Sequence, residues 1–232
     1  MALDFGRFDA LTFDCYGTLI DWEAGIARAL RRALEGTSVE VTDAELLEAY
    51  AVAEASAEAR PYRRYREVLG ESLRAVCRGW GFGPSQVRVD AFAGSVRDWP
   101  AFPDAADALA RLAGRFRLGV ITNCDDDLFA FSNAKLGDPF TWVITAQQLG
   151  SYKPAERNFL LAFERIEVPR ARILHVAQSL FHDHVPARRL GMDTVWVNRR
   201  SEQAGWGATP PADAAPTLTV PDIASLADLA LA

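Results

Sequence analysis

Lysine is nearly missing from this chain of 232 residues: of 25 basic residues only Lys135 and Lys153 are lysines. Arginine serves wherever a surface cation is wanted, so each lysine calls for a particular reason. Cysteine is scarce as well. Cys15, Cys77 and Cys124 are too few and too scattered for a disulfide framework or a zinc cluster, and a cytoplasmic location is the expectation. No apolar run approaches the roughly 20 residues of a membrane span, and the N-terminus MALDFGRFDA carries no signal-peptide pattern. Neither a membrane nor a leader is expected. Positive charge is also short, with a net charge of -6. Nucleic-acid binding needs a clustered basic surface, so the balance of charge argues weakly against that class of partner, and none is expected. What remains is ordinary for a globular protein, with 50% hydrophobic and 24% charged residues.

Hydrophobic periodicity divides the chain in two. Residues from Phe8 to Asp14 form an expected strand, and from Asp21 the pattern turns helical. WEAGIARALRRALEG sets Ile26, Leu30, Ala33 and Leu34 at helical spacing, and Thr42 to Glu45 is a capping box ahead of LLEAYAVAEASAEA. Pro61 breaks the helical pattern just beyond that segment. Helices are expected again in YRRYREVLGESLRAVCRGWG and QVRVDAFAGSVRDW. From Pro103 strands and helices alternate: RLGVIT, TWVITA, ARILHVA, TVWVN and TLTV are the expected strands. Alternation of this kind makes βαβ units and a parallel sheet with helices on both faces. The reading is an α/β, Rossmann-like core (1–19 and 97–232) interrupted by an all-helical unit (20–96). The Gly/Pro/Ala-rich stretch 201–216 reads as a surface excursion.

In open parallel sheets, ligands bind beyond the carboxyl ends of the strands. Those ends carry Asp14, Thr122 with Asn123, and Gln178 with Ser179, with Asp183 just beyond. Lys153 stands in SYKP immediately before a helix. Each has an ordinary explanation. A lone Asp or an Asn after a strand is usually a turn or capping group, and one lysine alone is a surface charge. The run His182-Asp183-His184 suggests a metal site, but neighbouring residues do not share a helix face, and part of a cap is the simpler account. Cys15 and Cys124 read as buried structural thiols. The functional case rests on the set, four strand-end features in the right order. The helical unit leaves from the same rim, placed to act as a lid.

The set FDCYGTLIDW, VITN, SYKP and HVAQSLFHD resembles the four motifs of the haloacid dehalogenase superfamily across essentially the whole chain. The resemblance implies that Asp14 is a nucleophile forming a covalent ester or acyl phosphate. It implies that Lys153 keeps Asp14 ionised, and that Asp183 holds Lys153 and orients the hydrolytic water. Thr122, Asn123, Gln178 and Ser179 are the expected substrate contacts, together with Tyr16. A homodimer is implied by analogy alone.

Tyr16 discriminates among members. Phosphatases of the superfamily carry an aspartate two residues after the nucleophile, and a tyrosine with pKa of about 10 is a poor acid for expelling an alkoxide. In the fourth motif Gln178 stands where the phosphatase pattern has another aspartate, which weakens any magnesium site. The resemblance therefore favours the L-2-haloacid dehalogenase branch, and the hydrolases that open L-azetidine-2-carboxylate. That implies metal-free displacement of a halide or a strained-ring amine at C2 of a small carboxylate, with no cofactor. A magnesium-dependent phosphatase and a non-catalytic scaffold are the alternatives. Dehalogenases carry a substrate-binding arginine on the first part of the cap. EAYAVAEASAEA has none, leaving Arg60, Arg63 and Arg66 as candidates.

Overall fold

The structure is a computed structural model and describes residues 3–201, 203 and 205–232. Its frame is six parallel strands: β1 (Ala10–Phe13), β2 (Arg117–Thr122), β3 (Trp142–Thr145), β4 (Ile173–Ala177), β5 (Asp193–Val197) and β6 (Leu218–Val220). They lie in the order β3-β2-β1-β4-β5-β6, every neighbouring pair parallel. β1 is buried along its whole length because it runs between β2 and β4, as its near-continuous apolar run requires of a strand covered on both faces. The order reverses direction between β1 and β4. That switch point is where a doubly wound sheet opens a crevice at its carboxyl edge.

The chain leaves β1 into α1 (Trp22–Leu34), α2 (Asp43–Glu58), α3 (Tyr65–Gly79) and α4 (Gln86–Ala93), then returns to the sheet. The expected capping box is present, Thr42 accepting from Glu45 N and Glu45 from Thr42 N. The remaining helices are α5 (Ala105–Ala113), α6 (Asp126–Lys135), α7 (Ala146–Leu149), α8 (Glu156–Arg165), α9 (Val185–Arg189) and α10 (Ile223–Ala230). Side chains of β1 alternate between two cores, as a period of two demands. Leu11 and Phe13 pack with α5, α6, α10 and the α1–α4 helices, whereas Ala10 joins Phe159 and Ala187 on the other face.

Three details differ from the sequence expectations. The first strand is shorter, because Asp14 keeps only its N–H on the sheet, donating to Val176 O at 3.0 Å. α7 and a wide helical turn at Leu180–His184 were not foreseen. The stretch 201–216 is not simply a surface excursion: where described, it folds back on α1, with Ala208 N donating to Glu23 at 2.8 Å. Ala208 and Thr209 are buried there; residues 202 and 204 of the stretch lie outside the described residues.

Candidate active site

The chain turns sharply after β1. Gly17 has φ +90, and a Cβ there would stand 2.9 Å from Trp22 Nε1 and 3.0 Å from Gln178 Oε1, so glycine is required both by conformation and by space. The turn directs the Asp14 side chain into the β1/β4 crevice. Its Oδ1 accepts from Lys153 Nζ at 2.8 Å and its Oδ2 from Thr18 Oγ1 at 2.7 Å. Thr18 Oγ1 itself accepts from Gln178 N at 2.8 Å, which ties the β1 turn to the β4 turn.

Lys153 is fully committed. Its Nζ donates to Asp14, to Asp183 Oδ1 at 2.7 Å and to Ile121 O at 2.8 Å, which uses all three donors of an ammonium. Asp183 Oδ1 also meets His175 Nε2 at 3.0 Å, and His175 Nδ1 meets Thr12 Oγ1 at 2.9 Å. Thr12 and His175 are register partners on β1 and β4. A polar chain thus runs inside the sheet from Thr12 to Asp14.

Burial shapes the charges. It pushes the Asp14 carboxyl above the ordinary range, opposed by the Lys153 ammonium and assisted by the Asp183 charge. For Asp183 the desolvation is outweighed by Lys153 and His175, so its carboxyl lies well below the usual value. For Lys153 desolvation is likewise outweighed, here by the two carboxylates, and its pKa is raised. The ammonium is therefore charged at neutral pH and Asp183 is ionised beside it.

Above Asp14 lies a narrow cavity of about 20 Å³, room for roughly one water. Of the residues expected from sequence, Asp14, Tyr16, Asn123, Lys153 and Ser179 line it. Thr122 and Gln178 do not. The Thr122 hydroxyl is buried with no hydrogen-bond partner among the described residues, and Gln178 faces an adjoining cavity beside Gly17 and Arg199. Asp183 lies behind Lys153. Asn123 touches the cavity, but its amide is spoken for: Nδ2 donates to Lys153 O at 2.9 Å and to both oxygens of Glu58 at 3.2 Å, and Oδ1 accepts from Lys153 N. The Tyr16 hydroxyl turns to Cys124 Sγ and Ser132 Oγ, each at 3.2 Å, while its ring meets Trp99 edge-on. Burial drives that phenol well above its usual pKa.

The rest of the lining was not foreseen. α2 contributes Glu54 and Glu58, α3 contributes Tyr65, the Leu180–His184 turn contributes His182, and Thr209 enters from the 201–216 stretch. Glu54 Oε1 accepts from Tyr50 and Tyr65 hydroxyls at 2.6 and 2.7 Å, and burial pushes its pKa up to about 7. Glu58 is pushed well above the carboxylate range by burial and by Glu54. Two acids at i and i+4 are unfavourable on an exposed helix, the one sequence signal that marks them. The arginine candidates do not reach this cavity. Arg60 and Arg63 pair with Glu71 and Arg66 with Asp127, although Arg60 lines the outer pocket beside Glu58.

Among the described residues no group of three or more His, Cys, Asp or Glu side chains could hold a metal. The Lys153 ammonium also claims the facing oxygens of Asp14 and Asp183. The His182-Asp183-His184 run serves as a turn instead: His182 N donates to Ser179 Oγ at 2.8 Å, and His184 meets Thr194 and Ala177 O. All three cysteines are buried and free.

A parallel sheet of this order, with a buried Asp, Lys and Asp at its switch point, places its charged groups where doubly wound sheets bind their ligands. The model of the haloacid dehalogenase-like hydrolase family matches residues 8–180, and the chain belongs to that family. It is 30% identical over 237 residues to the 5-amino-6-(5-phospho-D-ribitylamino)uracil phosphatase YigB of Escherichia coli, covering 97% of each. It is 25% identical over 224 residues to an (S)-2-haloacid dehalogenase of Pseudomonas putida, covering 95% of this chain and 96% of that one. Its fold is similar to the L-2-haloacid dehalogenase of Xanthobacter autotrophicus solved with chloropropionic acid covalently bound. That match has a TM-score of 0.81 at 24% identity and covers 96% and 98% of the two chains. No helix among the described residues is long and apolar enough to cross a membrane.

Proposed function

We propose that this hydrolase displaces a leaving group from C2 of a small carboxylic acid through an ester on Asp14, without a metal. The observation that carries the reading is the position two residues after Asp14. Tyr16 places a ring over the nucleophile and locks its hydroxyl into Cys124 and Ser132, so it neither protonates an alkoxide nor offers a carboxylate. Asp14, fixed by Lys153 and Thr18, is oriented for in-line attack on carbon. Water then attacks the ester carbonyl and a hydroxy acid departs. Residues 20–96 act as the cap over the core formed by 1–19 and 97–232. Because the cavity over Asp14 holds only about one water, the cap opens for each substrate and closes over it.

The test is intact-protein mass spectrometry of the Asp183→Asn variant after incubation with 2-chloropropionate, 2-bromopropionate and azetidine-2-carboxylate. An ester on the Asp14 peptide, formed equally with and without a chelator, supports the reading. The relation to the Escherichia coli phosphatase favours a second reading, magnesium-dependent release of phosphate. Turnover of an aryl phosphate that a chelator abolishes, with no ester from any of the three acids, establishes that one instead.

A further inference from the structure

The chain has three histidines, and all of them fall between 175 and 184, around Asp183. His175 is wholly buried inside β4, between the apolar Leu174 and Val176, with its ring edge-on to Phe159. A ring in that setting needs a partner for each nitrogen, and each has one. Nε2 stands 3.0 Å from Asp183 Oδ1, and Nδ1 stands 2.9 Å from Thr12 Oγ1 on β1. His184 repeats the arrangement against β5: its Nδ1 meets Thr194 Oγ1 at 3.0 Å and its Nε2 meets Ala177 O at 2.9 Å. Thr12, His175 and Thr194 occupy one register row across β1, β4 and β5. A polar belt thus crosses the apolar sheet and ends on the turn that carries Asp183.

The hydrogens of this belt can be assigned. An ionised carboxylate and a backbone carbonyl only accept, so both Nε2 atoms carry hydrogen and donate. Neither threonine hydroxyl has another acceptor among the described residues, so each donates to the facing Nδ1 lone pair. Asp183 Oδ1 therefore takes two donors, His175 Nε2 and Lys153 Nζ, the latter at 2.7 Å. Its Oδ2 is buried and has no hydrogen-bond partner among the described residues. Two donors on one oxygen achieve what one does not. The carboxylate torsion of an aspartate is soft, and with Lys153 alone either oxygen could face the ammonium. With the His175 ring fixed in the sheet, a single rotation satisfies both donors.

We propose that His175, set by Thr12, is a positioning residue for hydrolysis of the ester: it fixes the Asp183 carboxylate so that Oδ1 stays with Lys153 and Oδ2 is kept free to accept from the attacking water. The proposal rests on the Asp14-ester reading, in which Asp183 orients that water. His184 acts on the place of the turn and not on the carboxylate, since its ring bonds end on Thr194 and Ala177. Ester and water become hydroxy acid and the Asp14 carboxyl, with Asp183 and His175 in the same protonation state before and after. Ester formation makes a different demand. There the attacking group is Asp14, held by Lys153 and Thr18, and Asp183 Oδ2 takes no part. A defect at His175 therefore falls on ester decay before it falls on ester formation.

The experiment follows ester formation and decay by quenched-flow mass spectrometry, with 2-chloropropionate, 2-bromopropionate and azetidine-2-carboxylate. His175→Leu removes both ring nitrogens and is expected to slow decay about 10- to 100-fold, the worth of a hydrogen bond to a charged group. Formation should slow far less, so the ester accumulates. His175→Gln, whose amide N–H can replace the Nε2 donor, is expected to recover most of the loss. Thr12→Val keeps the shape of the strand and should slow decay about 3- to 10-fold, as one neutral hydrogen bond is worth. With only three histidines, ring-nitrogen NMR is assigned by single substitutions and should show the Nε2–H form at His175. The proposal is overturned if His175→Leu slows both steps alike or neither, if His175→Gln is no better, or if the ring proton of His175 sits on Nδ1. Should His175→Leu fail to fold, Thr12→Val decides, and decay at the wild-type rate overturns the proposal. If wild type shows the Nε2–H form yet no ester from any of the three acids, the hydrogen-bond assignment stands, while the Asp14 reading is rejected and the proposal with it.

Discussion

Asp125 caps a helix to which it does not belong: its carboxylate accepts the N–H of Tyr65 at 3.0 Å and that of Arg66 at 3.2 Å. The residue at the N-cap of α3, Arg64, supplies no side-chain cap of its own. The orphan donors of the first turn, and the positive end of the helix, are therefore satisfied across the cleft by a buried core carboxylate. In the cap opening proposed above, both bonds break. Asp125→Ala is expected to lower stability by about 1–2 kcal/mol, the ordinary range for a lost N-cap. It should also raise the open population about tenfold for each 1.4 kcal/mol. Hydrogen exchange at the Tyr65 and Arg66 amides reads this directly, and unchanged protection would mean that the contact is not a latch.

Glu54 gives the protein a pH dependence of definite sign. In the fold its pKa is about 7 against an unfolded value of 4.5, so between these values the folded chain holds a proton that the unfolded chain has released. Its contribution is fully present below about pH 4.5 and is lost as pH rises through 7. The loss is on the order of 3 kcal/mol at 1.36 kcal/mol per unit. Glu54→Gln still accepts from the Tyr50 and Tyr65 hydroxyls and never ionises. Relative to wild type, the variant should gain about this much stability in urea titrations between pH 5 and pH 8. Glu58, which the Glu54 charge helps to push up, is relieved of that charge in the variant, a change of the same sign that adds to the difference. A difference that does not change with pH would show that Glu54 is ionised in the fold.

Much of the architecture was legible because the residues that make it are local. Strand ends and helix starts announce themselves in the chain, and Asp14, Lys153 and Asp183 could be placed on one rim from topology alone. The scarcity of lysine was a sound guide: Lys153 bridges two carboxylates, and Lys135 Nζ donates to the carbonyls of Arg97 (2.5 Å) and Trp99 (2.7 Å), where the chain returns from the helices. Glu54 and Glu58 were not legible in that way. EAYAVAEASAEA reads as a helix with solvated glutamates, and only its docking against Tyr65 and Asn123 buries them. His182 was hidden for a similar reason. It reads as a capping residue, and its backbone does cap the turn, while its ring faces a partner far away in sequence. Thr12 and His175 did carry a signal, as lone polar residues inside apolar strands.

Lys153→Met tests the electrostatics of Asp14, the proposed nucleophile. Without the ammonium, Asp14 and Asp183 are two buried carboxylates with no facing cation, and breaking a buried pair this way costs about 3–5 kcal/mol. The push of burial on Asp14 is then opposed only by the Thr18 hydrogen bond, so Asp14 is expected to hold a proton at neutral pH. Ester formation should fall at pH 7 and recover about tenfold for each pH unit above it, since each unit restores ten times more carboxylate. Adding Asp183→Asn to Lys153→Met removes one of the two unpaired charges and should return part of the stability. Single-turnover kinetics and urea midpoints of the single and double variants check both statements. A rate independent of pH would mean that Asp14 stays ionised without its lysine.

Packing, rather than charge, connects α1 to the Asp14 site. A Cβ on Gly25 would lie 2.3 Å from Trp99 Cδ1 and 2.4 Å from Cγ, a clash that only movement of the indole or the helix relieves. Trp99 is almost wholly buried, its Nε1 donates to Ser95 Oγ at 3.2 Å, and its ring meets Tyr16 with centroids 5.4 Å apart. Overpacking of this kind costs about 1–3 kcal/mol. Gly25→Ala should therefore lower stability by that amount even though alanine is the better helix former. The displaced indole should also shift the Tyr16 ring above Asp14, so ester formation falls in a variant more than one turn of chain away from the site. Trp99→Phe in the Gly25→Ala background frees space and is expected to recover both losses in part. If Gly25→Ala is as stable and active as wild type, the cap does not reach the nucleophile through Trp99.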